Sequence, residues 1–176
     1  MVINRIEESP LYPIVNPRSI AFFGASNNFS RMGSIMLSSL EALGYEGAIY
    51  PIHPTEKEVR GHRAYASVLD LPEIPDLAIL VIPTDIVVET MEACGRRGIR
   101  HAIVVSGGFR EAGAEGVRMQ RDLEAVAARY GIRFLGPNCL GVANPHLKLN
   151  PTPIAAEGAP GFVGLASQSG SFITQM

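Results

Sequence analysis

Short apolar runs alternate along the chain with segments whose apolar residues recur every three to four positions, a pattern that predicts strands interleaved with helices. Ser19 to Gly24 (SIAFFG) predicts a buried strand, and Met36, Leu40 and Leu43 form the apolar stripe of a helix that Gly44 terminates. Ala48 to Ile52 predicts a second strand, followed by His53 and Pro54. Leu77 to Ile82 (LAILVI) is apolar without interruption, as expected of a strand covered on both faces in a parallel sheet. After Pro83, Thr84 is placed to cap a helix with Val87, Val88, Met91 and Cys94 on one side, ending by Gly98. Ala102 to Val105 predicts the next strand. A loop from Ser106 to Gly108 then leads to a helix with Met119, Leu123, Val126, Ala127 and Tyr130, closed by Gly131. Arg133 to Leu135 predicts a last strand, stopped by Gly136 and Pro137.

Strands separated by helices predict an α/β, Rossmann-like, doubly wound parallel sheet with helices on both faces. Ligands of such sheets lie beyond the carboxyl ends of the strands, which directs attention to Gly24 onward, Pro51 onward, Pro83, Ser106 to Glu111 and Gly136 to Gly141. From Asn144 to Gly161 the helical period is lost and Pro145, Pro151, Pro153 and Pro160 accumulate, which predicts a connector. Phe162 to Ala166 predicts a new strand and Ser167 to Gly170 a polar turn. The expected organisation is a domain over 1–144, a connector over 145–161, and over 162–176 the truncated start of a second α/β domain.

Composition supports a folded chain. Of 176 residues, 47% are hydrophobic and 18% charged, which excludes disorder driven by charge, and 18 glycines with 13 prolines predict many tight turns. The net charge of -2 gives no broad attraction to nucleic acid or anionic lipid. The polar, acidic start (MVINRIEESP) and the absence of a long apolar run argue against a membrane span, so a cytoplasmic location is expected. Cys94 and Cys139 are far apart and His53, His62, His101 and His146 are scattered, so neither a disulfide framework nor a metal site is predicted.

The first strand-to-helix turn reads Gly24-Ala25-Ser26-Asn27-Asn28, with Gly33 further on. Backbone N–H groups at such a turn, together with a helix N-terminus, suit phosphate oxygens, and Ser26, Asn27, Ser30 and Arg31 add donors. The pattern is neither of the common glycine-rich phosphate signatures. A nicotinamide-binding domain usually ends its second strand in Asp or Glu to accept ribose hydroxyls. Here that place reads Pro51-Ile52-His53-Pro54, with Glu56 and Glu58 only beyond it, so another adenosine-containing ligand fits better.

Six ordered motifs then carry a resemblance. Pro17-Arg18-Ser19-Ile20-Ala21 with Gly24-Ala25-Ser26, Tyr50-Pro51-Ile52-His53-Pro54, Ile82-Pro83, Ser106-Gly107-Gly108-Phe109-Arg110-Glu111, Gly136-Pro137-Asn138-Cys139-Leu140-Gly141 and Ser167-Gln168-Ser169-Gly170 resemble the nucleoside-diphosphate-forming acyl-CoA synthetases, relatives of the succinyl-CoA synthetase α subunit. The resemblance implies a CoA-binding domain up to about Asn144 and a flavodoxin-like domain after it. It implies that Gly24, Ala25, Ser26 and Arg31 hold CoA phosphates and that Pro54 and Lys57 border the nucleotide end. Ile82 and Pro83 would line the adenine or pantetheine path, Ser106, Gly107, Gly108 and Glu111 would flank the pantetheine arm, and Asn138 would lie near the thiol. Where the family commonly has Asn-Pro-Lys this chain has His53-Pro54-Thr55, so the usual phosphate-facing lysine is absent and Lys57 would be its substitute. The family's phosphorylated His falls beyond Met176, so no catalytic residue is expected here. ATP, magnesium and an ATP-grasp portion, as further synthetase domains or a β-type subunit, would belong to the intact protein, which is expected to be an oligomer. Two other readings use the same fold: a CoA- or acyl-CoA-sensing module fused to a lysine acetyltransferase, and a nicotinamide-dependent oxidoreductase domain.

Overall fold

A computed structural model of the chain describes residues 5–155 and 160–173. Its centre is a five-stranded, all-parallel sheet of β1 (Ser19–Phe23), β2 (Ala48–Ile52), β5 (Leu77–Leu80), β6 (His101–Val104) and β7 (Arg133–Leu135), in the order β2-β1-β5-β6-β7. In register, Ser19 to Phe23 face Ala48 to Ile52 on one side, and Ile20 to Phe23 face Leu77 to Leu80 on the other. β1 and β5 are buried at every residue, which explains why they read as unbroken apolar runs.

Side-chain alternation divides the core between the two faces. Ala21, Phe23, Ala78, Leu80, Ala102 and Val104 pack under α3 (Val87–Arg97) and α4 (Ala114–Tyr130), where Met91, Cys94, Leu123 and Val126 meet them. Ile20, Phe22, Leu77, Ile79 and Ile103 turn the other way and meet α1 (Tyr12–Val15) and α2 (Met32–Ala42) through Ile14, Met36, Leu37 and Leu40. α3 and α4 end at Gly98 and Gly131, both with left-handed backbone, as their sequence positions predict. Among the described residues no helix is long and apolar enough to cross a membrane.

Two expectations are corrected and two features are added. Thr84 does not cap α3: a 3-10 turn over Thr84–Ile86 precedes the helix, and the Thr84 hydroxyl donates to Gly107 O at 2.5 Å. The sequence reading also missed an antiparallel hairpin, β3 (Glu58–Val59) with β4 (His62–Arg63), turning at Arg60 and Gly61, which both have positive φ. The start of the expected connector packs on the domain: Leu149 is fully buried against the α2 face of the sheet, and Asn144 Nδ2 donates to Val15 O at 2.9 Å. Finally, Phe162 to Ala166 form no strand, and Phe162 and Val163 are exposed, because no described sheet edge pairs with them.

Candidate functional site

The strand order steps outward in opposite directions from β1 and β5, so the loops leaving these neighbours diverge and open a crevice at their carboxyl ends. A cleft of about 990 Å³ lies there, within the range of small-ligand sites. The turn after β1 (Phe23 to Gly33), the end of β2 (Ile52 to Pro54, with Glu56), Ala66 to Val68, the end of β5 (Val81 to Pro83) and one side of α3 form its walls. A smaller cavity of about 380 Å³, lined by Arg18, Tyr45, Glu46 and Lys148, lies at the amino ends of the strands and lacks such a turn.

The turn is held at close quarters. Gly24 has φ of +92°, and a Cβ there would stand 1.9 Å from Val81 O. A Cβ on Gly33 would stand 2.3 Å from Gly24 O and 2.9 Å from Ala25 N, so the first turn of α2 rests directly on the backbone of the turn. Ser34, fully buried, fastens the two together: its Oγ accepts from Ser26 N at 3.0 Å and donates to Ser26 O at 2.8 Å. The amides of Met32, Gly33 and Ser34, in the first turn of α2, take no partner among the described residues, and Met32 and Gly33 line the cleft. Open amides at a helix N-terminus on a glycine cradle suit phosphoryl oxygens. Arg31 lies on the same rim.

A second wall is built by the β2–β3 loop. His53 Nδ1 accepts from Glu56 N at 3.0 Å, which curls the loop so that Glu56 Oε2 accepts from Asn27 N at 3.1 Å and Asn27 Nδ2 at 2.6 Å. The Asn27 amide also pairs with the hairpin, donating to Glu58 O and accepting from Arg60 N. Arg60 and His62 in turn converge on Glu41 of α2, at 2.6 and 3.1 Å.

Past Ile82 the tips of β5, β6 and β7 gather the remaining predicted residues. Ser106 Oγ accepts from Ile82 N at 3.2 Å and donates to Ile82 O at 2.5 Å, and Asn138 N donates to Ser106 O at 2.9 Å. Gly107 lies between the Asn138 and Glu111 side chains. Glu111 accepts from Gly108 N at 2.7 Å and Phe109 N at 3.3 Å. These bonds, beginning with that of its own amide, outweigh desolvation and hold its carboxyl below the ordinary value. Burial pushes the Cys139 thiol up, and its Sγ donates to Val104 O at 3.4 Å while the side chain packs against the core.

Of the predicted residues, Gly24, Ala25, Ser26, Arg31, Pro54, Ile82 and Pro83 line the cleft. Ser106, Gly107, Gly108, Glu111 and Asn138 form the adjoining cluster. Lys57 stands apart: its side chain is exposed, it does not line the cleft, and its carbonyl accepts from Ala64 N. The cleft's other cation is Arg96, which the sequence reading missed along with Ser67 and Thr90. Ile86, Glu89, Thr90, Ala93 and Arg96 follow helical spacing along one side of α3, a signal that was present in the sequence.

Fold and cleft together define a Rossmann-like domain with a glycine turn and open helix amides at its crevice. Residues 18–145 match the CoA binding domain family, and the chain belongs to it. The ADP-forming acetate–CoA ligase I of Archaeoglobus fulgidus is 40% identical over 157 residues, 89% of this chain and 23% of that protein. The α subunit of the ADP-forming acetate–CoA ligase II of Pyrococcus furiosus is 41% identical over 157 residues, 89% of this chain and 34% of the subunit. Among solved structures, the apo form of the dinucleotide-forming acetyl-coenzyme A synthetase 1 of Candidatus Korarchaeum cryptofilum superposes with a TM-score of 0.79 at 37% identity, over 82% of this chain and 31% of that one. The chain thus spans about a quarter to a third of the length of these relatives. The oxidoreductase and acetyltransferase readings gain no support: these relatives are ligases and synthetases, and the one carboxylate near the end of β2 that reaches the cleft, Glu56, is engaged by Asn27.

Proposed function

We propose that this chain is the CoA-binding part of a nucleoside-diphosphate-forming acyl-CoA synthetase, a protein that makes an acyl-CoA from a carboxylate, CoA and ATP by way of a phosphohistidine and an acyl phosphate. The observation that carries the reading is the turn from Gly24 to Ser34, seated on α2 with open amides at the crevice between β1 and β5. Gly24, Ala25, Ser26 and the first amides of α2 receive the phosphates, with Arg31 as counter-charge. The nucleoside lies between the end of β2 at Pro54 and the side of α3 that ends in Arg96, the cation that replaces Lys57 in this role. Ile82 and Pro83 turn the chain of the ligand toward Ser106, Gly107, Gly108, Glu111 and Asn138. When bound there, CoA supplies the thiol that takes the acyl group.

The nucleotide, its magnesium and the phosphorylated histidine belong to other synthetase domains or to a β-type ATP-grasp subunit, in an oligomeric cytoplasmic enzyme. Titration calorimetry with CoA, dephospho-CoA and NADH tests the reading. CoA is expected to bind and NADH to give no heat. NADH binding without any response to CoA would overturn it.

A further inference from the structure

The cleft contains a negative charge at the place where it must accept negative charge. Glu56 lines the cleft, and its Oε2 takes the backbone amide of Asn27, the third residue after Gly24 in the phosphate turn. The same oxygen is held by Asn27 Nδ2 at 2.6 Å. On its other side, Oε1 faces His53 Nε2 at 3.6 Å, and His53 Nδ1 accepts from Glu56 N, which assigns the neutral ring's proton to Nε2. Two hydrogen bonds from Asn27 therefore hold Glu56, about one-third exposed, on the wall of the cleft that Met32 and Gly33 of α2 also line.

We infer that Glu56 is a specificity-determining residue that opposes the phosphoryl groups of the ligand at this turn and weakens their binding. The inference rests on the CoA reading above and deepens it. An anion that used the Asn27 amide would have to displace the carboxylate, since two anions cannot share one N–H donor. An anion seated on the α2 amides shares the cleft with the Glu56 carboxylate, which is partly shielded from solvent and so repels it more than an exposed charge would. The alternative use of such a carboxylate, acceptance of ribose hydroxyls, has the opposite sign: removing its charge would loosen the ligand rather than tighten it. The two roles are thus separable by one substitution.

Glu56→Gln keeps the shape of the side chain and an oxygen for Asn27 while removing the charge. In titrations of the full chain, this variant is expected to bind CoA about five- to ten-fold more tightly than the unaltered protein. The gain should extend to inorganic pyrophosphate, vanish for pantetheine, which carries no phosphate, and shrink as salt is raised. Glu56→Ala, which removes the bond to Asn27 as well, should give the same sign, and thermal melts confirm that each variant is folded. Equal or weaker CoA binding by folded Glu56→Gln would overturn the inference and leave the CoA reading intact, as would an equal gain for pantetheine. Absence of CoA binding by the unaltered protein would overturn both.

Discussion

At Gly33 the space for a side chain is already filled by backbone, and backbone cannot rotate away as a flexible side chain can. Gly33→Ala must therefore lift α2 off the turn. The expected cost is about 1–3 kcal/mol in urea unfolding, with at least tenfold weaker CoA binding in calorimetry. Asp76 carries a different kind of prediction. Burial pushes its carboxyl up, but it accepts from Arg18 N at 2.9 Å, Nε at 3.0 Å and Nη2 at 3.3 Å, and the net effect holds it below the ordinary aspartate value. A group depressed in the folded state stabilises fully above its unfolded value, and that contribution fades as pH falls below it. Asp76→Asn should therefore lower the melting temperature at neutral pH and flatten its decline between about pH 5 and 3. At this scale the sequence was legible where chemistry and position coincide, as at Gly24, Arg31 and Pro83. It was silent on Ser34, because a serine in the first turn of a helix looks like any polar residue until the fold brings Ser26 to it.

The major elements were legible because each has a strong period or an unbroken apolar run and ends at a glycine or proline. The β3–β4 hairpin was not, since each strand is two residues long and too short to show alternation. Arg60-Gly61 was the available turn signal. Thr84 was misread because its hydroxyl has two possible uses, and the tertiary partner, Gly107 O, prevails over the local cap. Packing between elements sets the prediction here. A Cβ on Gly95 of α3 would stand 2.4 Å from the Tyr130 ring of α4, so the helices cross where only glycine fits. Gly95→Ala should destabilise the chain by about 1–3 kcal/mol without weakening CoA binding, since neither residue lines the cleft. Paired unfolding and binding curves check this.

For the whole molecule, topology and the sheet edge that carries the cleft followed from the alternation of elements, but the packing after Asn144 did not. Prolines after Asn144 read as a connector, yet Leu149 completes the core beside Ile14 and α2. Leu149→Ala should cost about 2–4 kcal/mol, as for any fully buried leucine, whereas an extended connector would tolerate it. Urea unfolding decides between them. That Phe162 to Ala166 join neither described sheet is likewise a property of the assembled chain that no local pattern encodes.

Ser34 fastens Ser26 to α2 by bonds made wholly within the chain, so conformational entropy of the receiving loop is lost during folding rather than at each encounter. Association should accordingly proceed in a single kinetic phase with a rate proportional to ligand concentration, and stopped-flow traces from Ser34→Ala should acquire a second, concentration-independent phase as ordering becomes part of capture.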